Sequence, residues 1–260
     1  MITLLLKYAK RVLTLLIVAF LLTTTVVTAK TNEYISYTVE TQVEQSVETV
    51  SVVKKQTQVV IRCGEYSEKA GKRVYLNDIG LHFKDIPTDI KIHKDNKGAY
   101  IHEYDLNKKI STRIYEELLR RGVKVVYQDT KDRTEDLNRA GRIANKSNAN
   151  IYLSIHSNYY NNKSKGFFIM TNEGDKTARG IADRLSTSIE NNGMIPRREP
   201  VINGGYCGEM NEINNGTIAL LLEAGFYSNP NELKYLMSNE YADYVAKHLA
   251  NELVNILNNH

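Results

Sequence analysis

The chain has 260 residues, enough for one large domain or two small ones, and its hydrophobic (42%) and charged (25%) fractions are ordinary for a folded protein. The formal net charge is +4, and residues 1–29 carry three of these positive charges with no acid. The rest of the chain is therefore close to neutral, which gives no support to a nucleic-acid-binding function.

The N-terminus has the composition of a targeting segment. Three basic residues precede an apolar run at 12–22, and small or apolar residues continue to Ala29. Val27 and Ala29 suit the residues before a cleavage point, whereas the uncleaved run is about as short as a membrane span can be. We expect residues 1–29 to be a signal peptide or a membrane anchor, with the remainder outside the cytoplasm, secreted or held at the cell envelope.

Residues 30–70 are predicted to form a stalk or linker. They are rich in Thr, Val, Glu and Gln, and the alternation of polar and β-branched residues at 37–43 is followed by no turn and partner strand. Residues 71–260 are assigned to one domain. Cys63 and Cys207 are the only cysteines, and in an exported protein they either pair or remain two thiols.

The predicted domain alternates short strands with amphipathic helices. Strands are expected at 74–76, 123–127, 151–155, 167–170 and 217–222, helices at 105–121, 135–146, 176–191 and 230–257, and loops at 77–100 and 201–215. Gly122 fits the end of the first helix. This order predicts an α/β fold, a single domain with a mostly parallel twisted sheet flanked by helices.

Three candidate metal ligands lie at the ends of these elements. His156 follows a strand, Glu103 precedes a helix, and His82 lies in the loop after the strand at 74–76. Two imidazoles and one carboxylate, with a fourth position left for water, are a common make-up of catalytic zinc sites. Zinc chemistry also needs a general base, and Glu223 is the candidate because a carboxylate after a buried strand is costly without a role or a partner.

Five segments together resemble a known family, in order and at compatible spacing. They are residues 102–107 (Glu-x-x-Leu-Asn), 132–145 (Asp…Leu…Arg…Arg…Ala-Asn), 154–158 (Ser-x-His-x-Asn), 166–168 (a strand led by Gly) and 222–229 (Leu-Glu-Ala-Gly-Phe-Tyr-Ser-Asn). With these, residues 73–257 resemble the zinc-dependent N-acetylmuramoyl-L-alanine amidases of the amidase-3 type, which are bacterial cell-wall hydrolases. The resemblance implies that Glu103 and His156 bind zinc and that Glu223 is catalytic.

The resemblance also implies the substrate, peptidoglycan, cut between N-acetylmuramic acid and the L-alanine of the stem peptide. The family opens with Asp-x-Gly-His-Gly, whose His binds zinc, but residues 78–82 read Asp-Ile-Gly-Leu-His, with His82 one position late. We expect His82 to be the third ligand, with His93 and, last, His102 as alternatives. If no His reaches the site, the chain is a catalytically inactive domain that binds cell wall or a partner protein.

A third hypothesis, less favoured by the sequence, is a zinc peptidase on another α/β scaffold.

Among the remaining polar residues, Asn158 either orients the site or closes a turn. Arg197 and Arg198 are candidates for binding stem-peptide carboxylates, although solvated loop charges are favoured. Glu209 and Glu212 either gate or contact the substrate or lie on a solvated face, and the solvated face is favoured.

Overall fold

The computed structural model describes residues 58–64, 73–82, 84, 86–129, 137–190, 196–204, 207–213 and 216–259. The predicted signal or anchor segment and residues 30–57 of the predicted stalk lie outside these ranges. The described strands are β1 (Gln58–Cys63), β2 (Val74–Tyr75), β3 (His93–Asp95), β4 (Gly98–Ile101), β5 (Lys124–Gln128), β6 (Ile151–Asn158), β7 (Phe167–Thr171), β8 (Pro196–Asn203) and β9 (Ile218–Phe226). The described α-helices are α1 (Glu103–Arg120), α2 (Leu137–Lys146), α3 (Lys176–Glu190), α4 (Gly208–Asn211), α5 (Pro230–Met237) and α6 (Asn239–Asn259).

Six strands form the main sheet, in the order β5-β1-β6-β9-β7-β8. The first four of these are mutually parallel, β7 runs antiparallel to β9, and β8 is parallel to β7. The predicted α/β class with a mostly parallel sheet is therefore confirmed. The other three strands form a small antiparallel sheet in the order β2-β4-β3.

The prediction that residues 30–70 form a stalk is wrong for Gln58–Cys63. This segment is β1, which pairs with β5 on one side and β6 on the other and is a central strand of the main sheet. Val59, Val60 and Ile61 are fully buried there. The strand predicted at 74–76 exists as Val74–Tyr75, but it belongs to the small sheet. The domain therefore includes β1, which precedes the boundary predicted at residue 71.

Side chains alternate between the two faces of the main sheet, as expected for strands buried on both sides. Along β1, Val59 and Ile61 pack in the larger cluster and Val60 in the smaller one. Along β9, Leu220 and Leu222 face the larger cluster, whereas Leu221 faces the smaller one. Helices α1, α3 and α6 cover the larger cluster, and α2 and α4 contribute to the smaller one.

The helix predictions hold with small shifts at the ends. Helix α1 starts two residues earlier than expected, and its four predicted apolar residues, Leu106, Ile110, Ile114 and Leu118, are fully buried. Gly122 has a φ of 75° after the end of this helix, a conformation that glycine adopts without strain. The predicted C-terminal helix is two helices, α5 and α6, separated at Ser238.

A carboxylate in the first turn of α5 links two parts of the main sheet by hydrogen bonds. The carboxylate of Glu232 accepts hydrogen bonds from the backbone N–H groups of Gly166 and Phe226, at 2.7 and 2.8 Å. The predicted loop at 201–215 contains the end of β8 and the short helix α4. Among the described residues, none of the helices has the length and apolarity required to cross a membrane.

Candidate active site

His156 and Glu103 meet at the carboxyl end of the central strands. His156 is the third residue from the end of β6, and its Nδ1 lies 3.1 Å from Oε1 of Glu103. Glu103 is the first residue of α1, where the positive end of the helix dipole favours a carboxylate. The carboxyl ends of parallel strands are where α/β folds place their ligands.

Two further groups fix the carboxylate of Glu103. The Nδ2 of Asn107, one turn along α1, donates to Oε1 of Glu103 at 2.9 Å, and the backbone N–H of Ser157 donates to the same atom at 3.2 Å. The Nδ2 of Asn107 also donates to the carbonyl oxygen of Gly64 at 3.3 Å. The position of Glu103 is therefore set by α1, by β6 and by the residue that follows β1.

Gly64 lies in direct contact with the imidazole of His156. A Cβ atom at this position would lie 2.4 Å from Cδ2 and Nε2 of His156, so only glycine fits without a shift. β1 is the strand of the main sheet that comes first, and residues 62–66, at its end and beyond, read Arg-Cys-Gly-Glu-Tyr. These five residues share only Gly64 with the pattern Asp-x-Gly-His-Gly.

Glu209 contacts the other side of the His156 ring, contrary to the prediction that it is solvated. Its side chain is 1% exposed, and its Oε1 lies 3.1 Å from Nε2 of His156. Its Oε2 forms an ion pair with the guanidinium of Arg62, which is fully buried. The sequence names Glu209 as a candidate to gate or contact substrate but does not predict its burial, because its partners Arg62 and His156 lie far away along the chain. Glu212 is exposed, as predicted.

Glu223 lies beside His156 in the main sheet. The two residues are partners in the parallel register of β6 and β9, so their side chains leave the same face. Strand β9 continues three residues past Glu223, which therefore lies within the strand instead of following it.

Burial raises the pKa of the nearby Cys207 thiol. A hydrogen bond with the Met210 backbone and the charge of Arg62 lower this pKa, whereas the charge of Glu223 raises it further. Cys207 thus lies within electrostatic range of both Arg62 and Glu223.

The structure does not bring the three predicted histidine alternatives into this cluster. His82 is exposed in the segment between the strands of the small sheet. The Nε2 of His93 lies 3.0 Å from Oδ2 of Asp105, and its ring stacks on Tyr100. His102 is buried as the N-cap residue of α1, where its backbone N–H donates to Asp105. His93 and His102 belong to the junction of the small sheet with α1.

The Glu103–His156 pair has the chemistry and spacing of two zinc ligands. Zn–N and Zn–O bonds of about 2.1 Å in a tetrahedral arrangement separate two donor atoms by about 3.4 Å, and the observed distance between Nδ1 and Oε1 is 3.1 Å. Across the part of the chain that the structure describes, no group of three or more His, Cys, Asp or Glu side chains is placed to hold one metal ion. The residues therefore fit two of the protein ligands of a zinc site.

The other residues named from the sequence lie on strands β1, β6 and β8 or at the start of α4. Asn158 ends β6 at a break in the register with β9, and its carbonyl oxygen accepts from the backbone N–H of Tyr227 at 2.9 Å. Arg197 and Arg198 are exposed on β8 instead of in a loop, and the guanidinium of Arg197 lies 5.2 Å from the centre of the Phe168 ring. Cys63 and Cys207 are both thiols and form no disulfide with each other.

A known protein family matches most of this chain. Residues 91–255 match the family model Amidase_3, described as N-acetylmuramoyl-L-alanine amidase. A germination-specific N-acetylmuramoyl-L-alanine amidase of Bacillus subtilis (strain 168) is 27% identical over 168 residues, which cover 57% of this chain and 68% of the relative.

Solved structures show the same fold. The catalytic domain of CwlV, an N-acetylmuramoyl-L-alanine amidase from Bacillus (Paenibacillus) polymyxa var. colistinus, superposes with a TM-score of 0.60 at 20% identity, covering 78% of this chain and 98% of that one. The CwlD amidase from Clostridioides difficile, solved in complex with the GerS lipoprotein, gives a TM-score of 0.59 at 17% identity, covering 78% of this chain and all of that one. The family match spans well over half of this sequence, and the chain belongs to the Amidase_3 family of N-acetylmuramoyl-L-alanine amidases.

Proposed function

We propose that this protein is a zinc-dependent peptidoglycan hydrolase that cleaves the amide bond between N-acetylmuramic acid and the L-alanine of the stem peptide. The observation that carries the proposal is the convergence of Glu103, His156 and Glu223 at one end of the central strands. Peptidoglycan lies outside the cytoplasm, in keeping with a signal peptide or anchor at residues 1–29.

Glu103 and His156 are the residues we assign to the metal, and Glu223 is the general base. A zinc ion held there would polarise the scissile carbonyl group and lower the pKa of a bound water to about 7. Glu223 takes a proton from the attacking water and passes it to the nitrogen of the departing L-alanine. Asn107 and the backbone N–H of Ser157 keep Glu103 oriented, since both donate to its Oε1. We leave His82 out of this set because it is exposed.

The decisive experiment measures the bond that is cut. The full chain is incubated with purified peptidoglycan, and the products are identified by mass spectrometry and by labelling of new amino groups. We expect new amino termini on L-alanine. The variant Glu223→Gln should lose roughly 10²–10⁴-fold in rate while keeping its zinc content and fold. Glu240→Gln, a change of the same kind at an exposed position of α6, should leave the rate unchanged.

Three results would contradict the proposal in distinct ways. New termini inside the stem peptide would make the protein a peptidase. A metal-free protein that binds cell wall without releasing fragments would make it an inactive binding domain. Full activity in Glu223→Gln would remove the assigned general base.

A further inference from the structure

A buried carboxylate links His156 to a buried cation. Glu209 on α4 directs one oxygen to Nε2 of His156 at 3.1 Å and the other to the guanidinium of Arg62. Arg62 lies on the central strand β1 and is 0% exposed, and Glu209 is 1% exposed. Another N–H of the same guanidinium reaches Oγ of Ser154 on β6 at 3.5 Å. The three elements β1, β6 and α4 therefore meet at this one carboxylate.

Stability alone is a poor reason for this pair. Two charges taken out of water lose hydration that their mutual attraction roughly restores, and well-packed apolar residues of similar volume often serve a fold equally well or better. The position of Glu209 supplies a more specific reason, because its second oxygen faces a ring nitrogen of His156. Histidine ligands of metal ions commonly donate their other ring N–H to a carboxylate, which fixes the tautomer and the direction of the ring.

We propose that Glu209 is a positioning residue that accepts the Nε2–H of His156 and thereby presents Nδ1 to the side of Glu103, with Arg62 holding Glu209 in place. This inference rests on the proposed zinc-dependent function. Glu103 faces Nδ1 and Glu209 faces Nε2, so the two carboxylates have different roles towards the same ring. The cation of Arg62 compensates the charge of Glu209.

The test separates a hydrogen-bond acceptor from an ion pair. Removing only one charge would leave the other buried without compensation, so both are replaced together. The variant Arg62→Met/Glu209→Gln removes both charges and keeps an amide oxygen facing His156. The variant Arg62→Met/Glu209→Leu removes both charges and the acceptor. Glu212→Gln, three residues further along and exposed, is the matched control.

Zinc affinity is measured on the full chain by competition with a chelator, and the protonated ring nitrogen of His156 is identified by nitrogen-15 NMR. We expect the Gln-containing double variant to retain higher affinity and the Leu-containing one to bind zinc about 10–100-fold more weakly than the unmodified protein. The zinc-loaded protein should show His156 protonated at Nε2. The control should match the unmodified protein in both measurements.

The outcomes distinguish this inference from the function on which it rests. Equal zinc affinity in the two double variants, or a zinc-loaded His156 protonated at Nδ1, would overturn the role of Glu209 and leave the proposed function intact. An unmodified protein that binds no zinc would overturn both. A Leu-containing variant that has lost its fold, judged by circular dichroism, while the Gln-containing one is folded and binds zinc normally would show that the carboxylate position is structural.

Discussion

Replacing Gly64 with alanine places a methyl group where the structure has no room for one. The added Cβ would lie 2.4 Å from Cδ2 and Nε2 of His156 and 2.4 Å from the carbonyl oxygen of Ile155. Ordinary contacts between such atoms are about 3.5 Å, so the neighbours must retreat by about 1 Å. Ile155 is tied in place, because its carbonyl oxygen accepts from the backbone N–H of Gly64 at 2.8 Å.

Overpacking of this kind typically costs about 1–3 kcal/mol, and a backbone atom that cannot rotate away favours the upper half of that range. We therefore expect Gly64→Ala to lower the free energy of unfolding by about 2–3 kcal/mol. For a domain of this size the loss corresponds to a fall in melting temperature of about 5–10 °C. Hydrolysis of peptidoglycan should fall further, by about 100-fold, because a displacement of about 1 Å at a catalytic group has that effect on rate.

Urea denaturation followed by circular dichroism measures the first quantity, and release of labelled fragments from cell wall measures the second. Gly180→Ala on α3 is the matched control, since a Cβ there meets nothing within 4 Å. It should stabilise the protein by up to about 1 kcal/mol through helix propensity. A Gly64→Ala protein that unfolds at the same urea concentration as the unmodified protein and keeps its activity would refute the contact between Gly64 and His156.

Three further predictions concern single side chains. His156→Ala should lose zinc, whereas His82→Ala should keep a full equivalent by elemental analysis; loss of zinc from the His82 variant would restore the ligand set expected from sequence. Glu232→Ala leaves the backbone N–H groups of Gly166 and Phe226 without their acceptor, so it should lower the free energy of unfolding by about 2 kcal/mol. Urea titration measures this free energy, and an unchanged value would show that solvent replaces the carboxylate. Burial raises the thiol pKa of both cysteines, so at neutral pH Cys207 should react slowly with a disulfide reagent, faster as the pH rises, and Cys63 should not react until the protein unfolds. Rapid labelling of two thiols in the folded protein would contradict the burial of Cys63.

The predicted helices rested on local patterns, and the structure agrees with them. Leu106, Ile110, Ile114 and Leu118 recur on one face because α1 must bury one stripe, and this requirement is visible within a single segment. Strand β1 was missed for the opposite reason. Its fifth residue, Arg62, resembles a solvated charge, and the carboxylate that compensates it lies 147 residues away along the chain. No reading of neighbouring residues identifies such a partner.

The residues of the site likewise differ in how far the sequence alone predicts them. Glu103 and His156 were identified because each lies in a short recognisable segment at the end of an element. His82 is predicted from the sequence because residues 78–82 resemble Asp-x-Gly-His-Gly, and the structure places it, exposed, in the segment between β2 and β3. The main sheet begins instead with β1, which local patterns do not reveal.

The register between β6 and β9 sets both the position of Glu223 beside His156 and the packing of the larger cluster. Side chains alternate along a strand, so a slip of one residue would turn Glu223 away from His156. The same slip would exchange Leu222 with its neighbours and direct it out of the larger cluster. With Glu223 as the proposed general base, the correct pairing of β6 with β9 is required both for the core and for hydrolysis. A chain with this slip would be unstable and, under that proposal, unable to cut the cell wall.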